Sequence, residues 1–330
     1  MLSALHRFGI PPEMLQLIAS IYKARFFVIR DPCQNSTQRR QMAGIAQGCP
    51  LSPYLFILVQ TVLLHDVDAR LAGHFQNQQH LLAEPPYVIC TELLYADDTL
   101  LLSSSAAKLQ AHMDLVIDEG ARYGLEINWG KTVAINIHNT GDLLQPSGDA
   151  VKKVSQGVYL GGMLTSTAAV GPELSRRLGE AKGSFNSLQR CWSHANISRR
   201  RKIELYHACV VSKLSYGLDS MWLLKPELQR IDAFHVRCLR CICRIKPSYI
   251  SRVSNASVLE TAGQVPLSTI LRHRQLALYE QIVRMDDDNP LRRLTCEAGS
   301  DRPKIWATNR RRGRPKQQWA PCVFSLRSQI

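Results

Sequence analysis

The sequence has no apolar run long enough to cross a bilayer. Its longest run, from Tyr54 to Leu64, is interrupted by Gln60, and a membrane helix needs roughly 20 apolar residues. The first residues include His6 and Arg7, where a signal peptide would carry an apolar core. We therefore expect no membrane partner and an intracellular location.

The ten cysteines do not form the pattern of a structural zinc site. Such a site needs four ligands, usually in two pairs. Only Cys238 and Cys241 form a Cys-x-x-Cys pair. Intracellular thiols stay reduced. We therefore predict free cysteines, with Cys238 and Cys241 on one buried face of a helix.

Acidic residues are fewer than basic ones. The 330 residues include 27 Asp and Glu against 41 Lys and Arg, which gives a net charge of +14. The apolar fraction of 45% is sufficient for a folded core and the length allows two domains. A basic chain suits a partner that carries phosphates. Basic residues recur on successive predicted helices, which favours nucleic-acid contact over an ordinary solvated face: Arg176, Arg177, Lys182, Arg190, Arg199, Arg200, Arg201 and Lys202.

Two of the acidic residues are adjacent in the tetrad Tyr95-Ala96-Asp97-Asp98, between Leu93-Leu94 and Leu100-Leu101-Leu102. The pattern predicts two apolar strands joined by a tight turn. Two charges ~4 Å apart at an effective dielectric of ~20 repel by about 4 kcal/mol. A hard cation such as Mg²⁺, which takes one or two carboxylates together with phosphate oxygens, would offset this cost. The alternative is an acidic surface turn.

Three other segments accompany this tetrad in a fixed order. Gly44 to Pro53 reads GIAQGCPLSP, Gly124 to Thr132 reads GLEINWGKT, and Tyr159 to Gly162 reads YLGG. With the tetrad, these segments resemble motifs B, C, D and E of the reverse transcriptases. The Cys-Pro-Leu variant in the first segment is typical of the non-LTR (LINE-type) retrotransposon branch.

The resemblance implies an α+β fold, in which a partial polymerase palm of the right-hand type is followed by a helical thumb and C-terminal region. Residues 1–168 would form the fingers and palm with motifs B to E. Residues 169–290 would form the helical thumb and connection. Residues 291–330 would form a basic tail that binds nucleic acid.

The resemblance also implies an RNA-directed DNA polymerase, a nucleotidyltransferase in which a primer 3′-OH attacks a dNTP. Its cofactor would be Mg²⁺ or Mn²⁺. Its partners would be an RNA template, a DNA primer or target, and dNTPs, in the nucleus. Residue roles follow from the motifs. Catalysis would involve Asp97, Asp98 and Lys131, of which Asp97 and Asp98 would bind the metal. Template and nucleotide contacts would involve Gln47, Gly48 and Tyr95. The primer grip would consist of Tyr159, Leu160, Gly161 and Gly162.

One family motif is not found in the sequence. Motif A, upstream of motif B, supplies another Asp to the metal site. Here Asp31 is the only Asp before motif B, and its context is unlike motif A. Asp66 and Asp68 lie beyond motif B. Two-metal phosphoryl transfer needs a carboxylate shared by both ions. We expect no polymerase activity from this chain alone. The chain is then an inactive piece of a reverse transcriptase, or part of an enzyme whose missing Asp comes from a partner chain or from an upstream segment of the parent polyprotein. The alternative is a non-catalytic basic protein that binds nucleic acid.

A cluster of arginines lies near the C-terminal end of the sequence. The core of this cluster is Arg312-Gly313-Arg314, followed by Lys316. It resembles an AT-hook, whose Arg side chains enter a narrow minor groove of enhanced negative potential. General phosphate binding is the alternative, and we favour it over base-pair preference.

Local patterns predict the main elements. A helix should follow Pro11, and a helix buried on all sides should follow an N-cap at Ser52. Ser104 or Ser105 should cap another helix. Strands are expected at 133–137 and around 158–160, with long amphipathic helices from Pro172, Ser198 and Pro226.

Overall fold

The computed structural model describes residues 1–41, 44–46, 48–74, 90–137, 140–194, 196–306 and 317–327. The chain divides into two compact units, Met1–Ser155 and Gln156–Ile330. Helices and small sheets occur in both, so the expected α+β class is confirmed. The three predicted domain ranges remain predictions. No helix in these ranges is both long and apolar enough to span a membrane.

The first unit contains four helices within the described residues. These are α1 (Leu2–Arg7), α2 (Pro12–Lys23), α3 (Ser52–His74) and α4 (Ala106–Arg122). It also contains two antiparallel pairs of strands: β1 (Phe26–Phe27) with β2 (Arg39–Arg40), and β3 (Glu92–Tyr95) with β4 (Asp98–Leu101).

Helix α3 is apolar on nearly every side, yet only part of its surface is covered. Leu55 and Val67 are buried, whereas Tyr54 is 67% and Ile57 55% exposed. The prediction that this helix is buried on all sides is therefore wrong, because the described part of the first unit packs against one face. The helix also starts at Ser52 itself, one residue earlier than predicted.

Helix α4 packs along α3 through a small apolar cluster that includes Leu63, Val67 and Leu115. Its N-cap is Ser105, whose hydroxyl accepts a hydrogen bond from the backbone N–H of Lys108 at 3.4 Å. Of the two predicted caps, Ser104 and Ser105, the structure therefore shows Ser105. A cap of this kind satisfies an N–H group that the first helical turn leaves free.

The strand predicted over 133–137 is absent. Ala134 forms only an isolated parallel bridge with Lys153. Immediately before it, the carbonyl of Asn128 accepts hydrogen bonds from the N–H groups of Lys131 and Thr132, both at 3.0 Å. This turn ends directly before residue 133, and no neighbouring strand in the described residues extends the bridge at Ala134 into a ladder.

The second unit is mostly helical. It begins with the hairpin β5 (Gln156–Tyr159) and β6 (Gly162–Thr165). Its described helices are α5 (Gly171–His194), α6 (Arg199–Tyr206), α7 (Ser212–Ser215), α8 (Lys225–Cys243), α9 (Ser248–Ser251), α10 (Asn255–Ala262), α11 (Leu267–Val283), α12 (Pro290–Thr295) and α13 (Trp319–Leu326). A π-helical turn, His207–Val211, joins α6 to α7.

The amphipathic pattern correctly predicts the buried face of α5. Leu174 and Ala181 are fully buried, and Phe185 is 5% exposed. They join Tyr206 and Leu239 in the main core of this unit. Ser198 caps α6 as predicted, because its hydroxyl accepts a hydrogen bond from the N–H of Arg201 at 3.3 Å.

The two cysteines of the Cys-x-x-Cys pair on α8 differ in burial. Cys238 is buried and Cys241 is exposed, so the prediction of one shared buried face is wrong. Three residues turn a helix by about 300°, which leaves the second side chain some 60° from the first. Leu239 and Ile242 fill the core instead. Burial raises the pKa of Cys238 to about 12.

A buried histidine lies at the centre of the second unit. The Nδ1 atom of His235 is 2.9 Å from the hydroxyl of Tyr206, and both residues are fully buried. The two rings stack with centroids 5.6 Å apart. Burial, assisted by the nearby His207, lowers the pKa of His235 to about 4. The core therefore contains a neutral imidazole near pH 7.

This histidine should make the second unit sensitive to mild acid. The unfolded chain binds a proton at its ordinary pKa of about 6.5, and the folded chain only near 4. Stability should therefore be complete above pH 6.5 and fall by about 3 kcal/mol as the pH drops to 4. Urea unfolding followed by tryptophan fluorescence measures this loss.

The matched variants are His235→Gln and, at an exposed position, His273→Gln. The first should flatten the pH dependence between 6.5 and 4, and the second should leave it unchanged. An identical slope in wild type and His235→Gln would contradict the assignment.

Candidate active site

The two predicted metal-binding aspartates lie at a tight β-turn. Strands β3 and β4 pair with Tyr95 opposite Asp98, so Ala96 and Asp97 form the two-residue turn. Ala96 has a φ of +53°. This left-handed conformation normally belongs to glycine in such turns, and it costs a residue with a Cβ roughly 1–2 kcal/mol. The turn thus stores strain at the position of the two carboxylates.

Both carboxylates face solvent. Asp97 and Asp98 are exposed, and neither carboxylate has a hydrogen bond or an ion pair within the described residues. Tyr95, across the hairpin from Asp98, is 65% exposed. Exposure to water weakens the repulsion between the two charges. The carboxylates are therefore accessible to a cation or to a further segment of protein.

The opposite end of the hairpin is attached to α4. Leu101 packs against the cluster that contains Met113. The Oε2 atom of Glu92 lies 3.5 Å from the Nε2 atom of His112, whose side chain is 3% exposed. Glu92 is three residues from Tyr95, or roughly 10 Å along the strand. The packed base thereby holds the turn out into solvent.

Within the described residues, none of Asp31, Asp66 and Asp68 completes a metal site with Asp97 and Asp98. Asp66 accepts two hydrogen bonds from Arg7, both at 2.6 Å, which lower its pKa to about 2. Burial, with a smaller contribution from the charge of Glu92 at the hairpin base, raises the pKa of Asp68. Asp31 accepts a hydrogen bond from the N–H of Cys33 at 3.3 Å.

The donor set fits a divalent ion only in part. Asp97 and Asp98 offer hard oxygen ligands, which Mg²⁺ and Mn²⁺ prefer. In the ranges that the structure describes, no group of three His, Cys, Asp or Glu side chains lies close enough to hold a metal ion. Further ligands would have to come from substrate phosphates, from water or from another protein segment.

The glycine loop before α3 is partly described. Gln47 lies outside the described residues. Gly48 has a φ of +77°, and a Cβ added there would meet no atom within 4 Å. The hydroxyl of Ser52 donates a hydrogen bond to the carbonyl of Ala46 at 2.6 Å, which ties the loop to the first turn of α3. Gly48 therefore leaves open space beside the loop backbone.

Lys131 lies in the turn that follows Asn128 and is exposed. Its N–H is also 3.3 Å from the side-chain oxygen of Asn128. Within the described residues no ion pair joins Lys131 to Asp97 or Asp98. The structure thus places it in the same compact unit as the aspartates without a direct contact.

The four predicted primer-grip residues form the second tight hairpin. Tyr159 and Gly162 pair with each other, and Leu160 and Gly161 form the turn. Both turn residues are left-handed, with φ values of +47° and +74°, as a type I′ turn requires. Leu160 is 39% exposed.

The predicted basic tail residues Arg312, Gly313, Arg314 and Lys316 lie outside the described residues. The chain on either side is fixed to the second unit. The side chain of Gln318 accepts a hydrogen bond from the N–H of Trp306 at 3.0 Å and donates one to its carbonyl at 2.6 Å. The indole N–H of Trp319 donates to the carbonyl of Asp219 at 2.9 Å.

Sequence reasoning missed residues around both glycine-containing turns. A hydrogen bond from the backbone N–H of Leu51 lowers the pKa of the Cys49 thiol, which lies just before α3. The position of Cys49 close to the predicted helix start was the available signal.

Arg177 and Tyr216 hold the turn of the second hairpin. Arg177 was predicted only as an exposed basic residue, yet it is 6% exposed. Its spacing of four from Glu173 was the overlooked signal.

Comparison with known families agrees with the motif pattern. The model of the family described as reverse transcriptase (RNA-dependent DNA polymerase) matches residues 1–164. The matched range contains the glycine loop, both hairpin turns and the aspartate pair. Residues 1–164 of the chain belong to the reverse transcriptase family.

Individual relatives come from mobile elements. The chain is 24% identical to the RNA-directed DNA polymerase from mobile element jockey of Drosophila funebris over 249 residues, which cover 70% of this chain and 25% of that protein. It is 24% identical to the Pol polyprotein of the type-2 retrotransposable element R2DM of Drosophila melanogaster, covering 65% of this chain and 21% of that protein. The assignment to non-LTR retrotransposon reverse transcriptases is confirmed.

A shorter relative covers a similar part of the chain. A transposon-derived protein of Caenorhabditis elegans is 24% identical over 252 residues, which are 73% of this chain and 85% of that protein. The chain thus spans about a quarter of the jockey polymerase and most of the nematode protein.

The strained turn gives a test of how the aspartates are held. Ala96→Val should make the hairpin open about ten-fold more often, because a β-branched residue is disfavoured at positive φ. Ala96→Gly should not, because glycine accepts that φ. Hydrogen exchange of the peptide spanning 90–102 measures the opening. Equal exchange in the two variants would contradict the strained geometry.

Proposed function

We propose that this chain supplies the metal-binding and primer-binding parts of an RNA-directed DNA polymerase. Asp97 and Asp98 would hold Mg²⁺ or Mn²⁺ beside an RNA template, a DNA primer and a dNTP. The observation that supports this most directly is the unpaired, exposed carboxylate pair on the strained β3–β4 turn, within the range matched by the family. An RNA template and a DNA target would place the protein in the nucleus.

The chain's own groups have separable tasks in this proposal. Asp97 and Asp98 provide the negative charge that retains the cation and keep it at the end of a packed hairpin. Gly48 leaves room for a base or nucleotide to approach the backbone. Lys131 is free to turn towards a leaving pyrophosphate. The bound cation would supply charge stabilisation for the transferred phosphoryl group and would lower the pKa of the primer 3′-OH.

The remaining metal ligand is proposed to come from elsewhere. Asp31 and Asp66 accept hydrogen bonds from other groups, and within the described residues Asp68 does not join a group of three potential metal ligands. A carboxylate from an upstream segment of the same polyprotein, next to the β3–β4 hairpin, would complete the set.

The proposal includes a finer division of the fold. Residues 1–168 would form the fingers and palm, and residues 169–290 would form the thumb and connection. Residues 291–330 would form a nucleic-acid-binding end with Arg312, Gly313, Arg314 and Lys316.

Direct cation binding is the first test. Wild type should bind Mn²⁺ weakly, since two carboxylates make an incomplete site. Asp97→Ala should weaken binding by at least about ten-fold, because a ligand and its charge are lost. Electron paramagnetic resonance of free Mn²⁺ during titration measures the affinity.

The matched control is Asp288→Ala, which removes one exposed carboxylate from the second unit. Its Mn²⁺ affinity should equal that of wild type. Equal losses in Asp97→Ala and Asp288→Ala would indicate non-specific charge binding and would overturn the metal assignment.

Primer extension on an RNA template with Mg²⁺ tests the incomplete site. We expect no product above that of Asp97→Ala from the chain alone, because a shared third carboxylate is lacking among the described residues. Extension by wild type that Asp97→Ala abolishes would show that the chain contains a third acid, and the proposal of an outside ligand would be wrong.

A second candidate function is nucleic-acid binding without catalysis. Exposed basic residues on α5 and α6 favour it, namely Lys182, Arg190, Arg199, Arg200 and Arg201. Lys202 also lies over the Trp192 ring, with its Nζ atom 5.8 Å from the ring centroid. Phosphate binding by such a surface should weaken steeply with salt. RNA binding that is salt-dependent and identical in wild type and Asp97→Ala, without Mn²⁺ binding at the hairpin, would favour this alternative.

A further inference from the structure

The turn of the β5–β6 hairpin is held by side chains from two helical segments. The backbone carbonyls of its two turn residues, Leu160 and Gly161, are both hydrogen-bonded to side chains. The carbonyl of Gly161 accepts hydrogen bonds from Arg176, at 2.6 Å, and from Arg177. The carbonyl of Leu160 accepts a hydrogen bond from the hydroxyl of Tyr216 at 3.0 Å. Both carbonyls of a strained two-residue turn are therefore occupied.

The arginines are themselves fixed by a buried carboxylate. Glu173 is 1% exposed and lies one turn before them on α5. Its Oε1 atom accepts a hydrogen bond from Nε of Arg177 at 2.6 Å and another from Arg176 at 2.8 Å. A planar guanidinium can hold a carboxylate with one edge and a carbonyl with the other. Arg177 thus connects the hairpin turn to the buried side of α5.

Tyr216 closes the arrangement from the other side. The guanidinium carbon of Arg177 lies 4.6 Å from the centroid of the Tyr216 ring, a cation–π distance. A Cβ added to Gly161 would lie 3.4 Å from Cε1 of the same ring. The ring therefore fits against a turn residue that lacks a side chain, although Tyr216 is 54% exposed to solvent.

We propose that Arg177 and Tyr216 are positioning residues that fix the turn Leu160–Gly161 for contact with the primer terminus. This inference rests on the proposed primer-binding role of Tyr159 to Gly162. Since both turn residues are left-handed, the turn has alternatives with less strain, and the hydrogen bonds to its carbonyls select the present conformation. Glu173 holds Arg177 in the orientation that reaches Gly161.

A purely structural role predicts a different pattern of effects. If Arg177 served only to neutralise Glu173, Lys at this position would be a sufficient replacement. Lys keeps the charge but cannot bind a carboxylate and a carbonyl at once, and it loses the planar contact with the tyrosine ring. Tyr216→Phe keeps the ring and removes only the hydrogen bond to Leu160. These variants separate positioning of the turn from stability of α5.

The experiment uses the whole chain and a DNA primer annealed to an RNA template, with 4-thiothymidine as the last primer nucleotide. Ultraviolet cross-linking followed by mass spectrometry locates the contacted peptide, and fluorescence anisotropy gives total affinity. Wild type should cross-link within 156–165. The cross-linked fraction at this peptide should fall about ten-fold in Arg177→Lys and about three-fold in Tyr216→Phe. Total affinity should change less than about two-fold, because phosphate contacts dominate it.

Arg272→Lys, a charge-conserving change at an exposed position of α11 in the same unit, is the control and should behave as wild type. Cross-links retained at 156–165 in both Arg177→Lys and Tyr216→Phe would overturn the positioning role and leave primer binding intact. No cross-link at 156–165 in wild type would overturn the primer-binding role and this inference with it. If Arg177→Lys does not fold, Tyr216→Phe alone decides, because its ring remains in place.

Discussion

The proposed chemistry depends on two adjacent carboxylates that have no partner in the described protein. Asp97 and Asp98 lie at the end of a hairpin whose other end is packed against α4. Such a pair has a negative potential that a divalent cation can neutralise, and water alone screens it in the free chain. The left-handed Ala96 keeps the turn tight. Strain and unpaired charge therefore coincide at one place, which is typical of sites completed by a ligand.

The second hairpin is the opposite case. Its turn also has positive φ values, but its carbonyls are bound by Arg176, Arg177 and Tyr216, and the buried Glu173 orders the arginines. One hairpin thus presents free charge, and the other presents a turn already fixed from within its own unit. An incomplete metal site and a preorganised turn are what a polymerase segment would contribute if its remaining ligand came from another segment.

The sequence allowed much of this to be predicted, for specific reasons. The β3–β4 turn was predictable because apolar strands flank the tetrad, and the family because four motifs occur in order. The burial of α3 was not predictable, since an all-apolar helix does not reveal how many of its sides are covered; Tyr54 and Ile57 remain exposed. The contact of Arg177 with the β5–β6 turn was not predictable, because a basic residue on a helix usually faces solvent and only tertiary packing brings the turn to it. Its pairing with Glu173, four residues earlier on the same helix, was visible in the sequence.

Metal-directed cleavage tests the central claim most directly. Fe²⁺ replaces Mg²⁺ in carboxylate sites, and with ascorbate and peroxide it produces hydroxyl radicals that cut the nearby backbone. The fragments of the wild-type chain should end within or beside Tyr95 to Asp98, and an excess of Mg²⁺ should suppress them. Cleavage confined to other acidic segments, or unchanged in Asp97→Ala, would contradict a cation site at the β3–β4 turn.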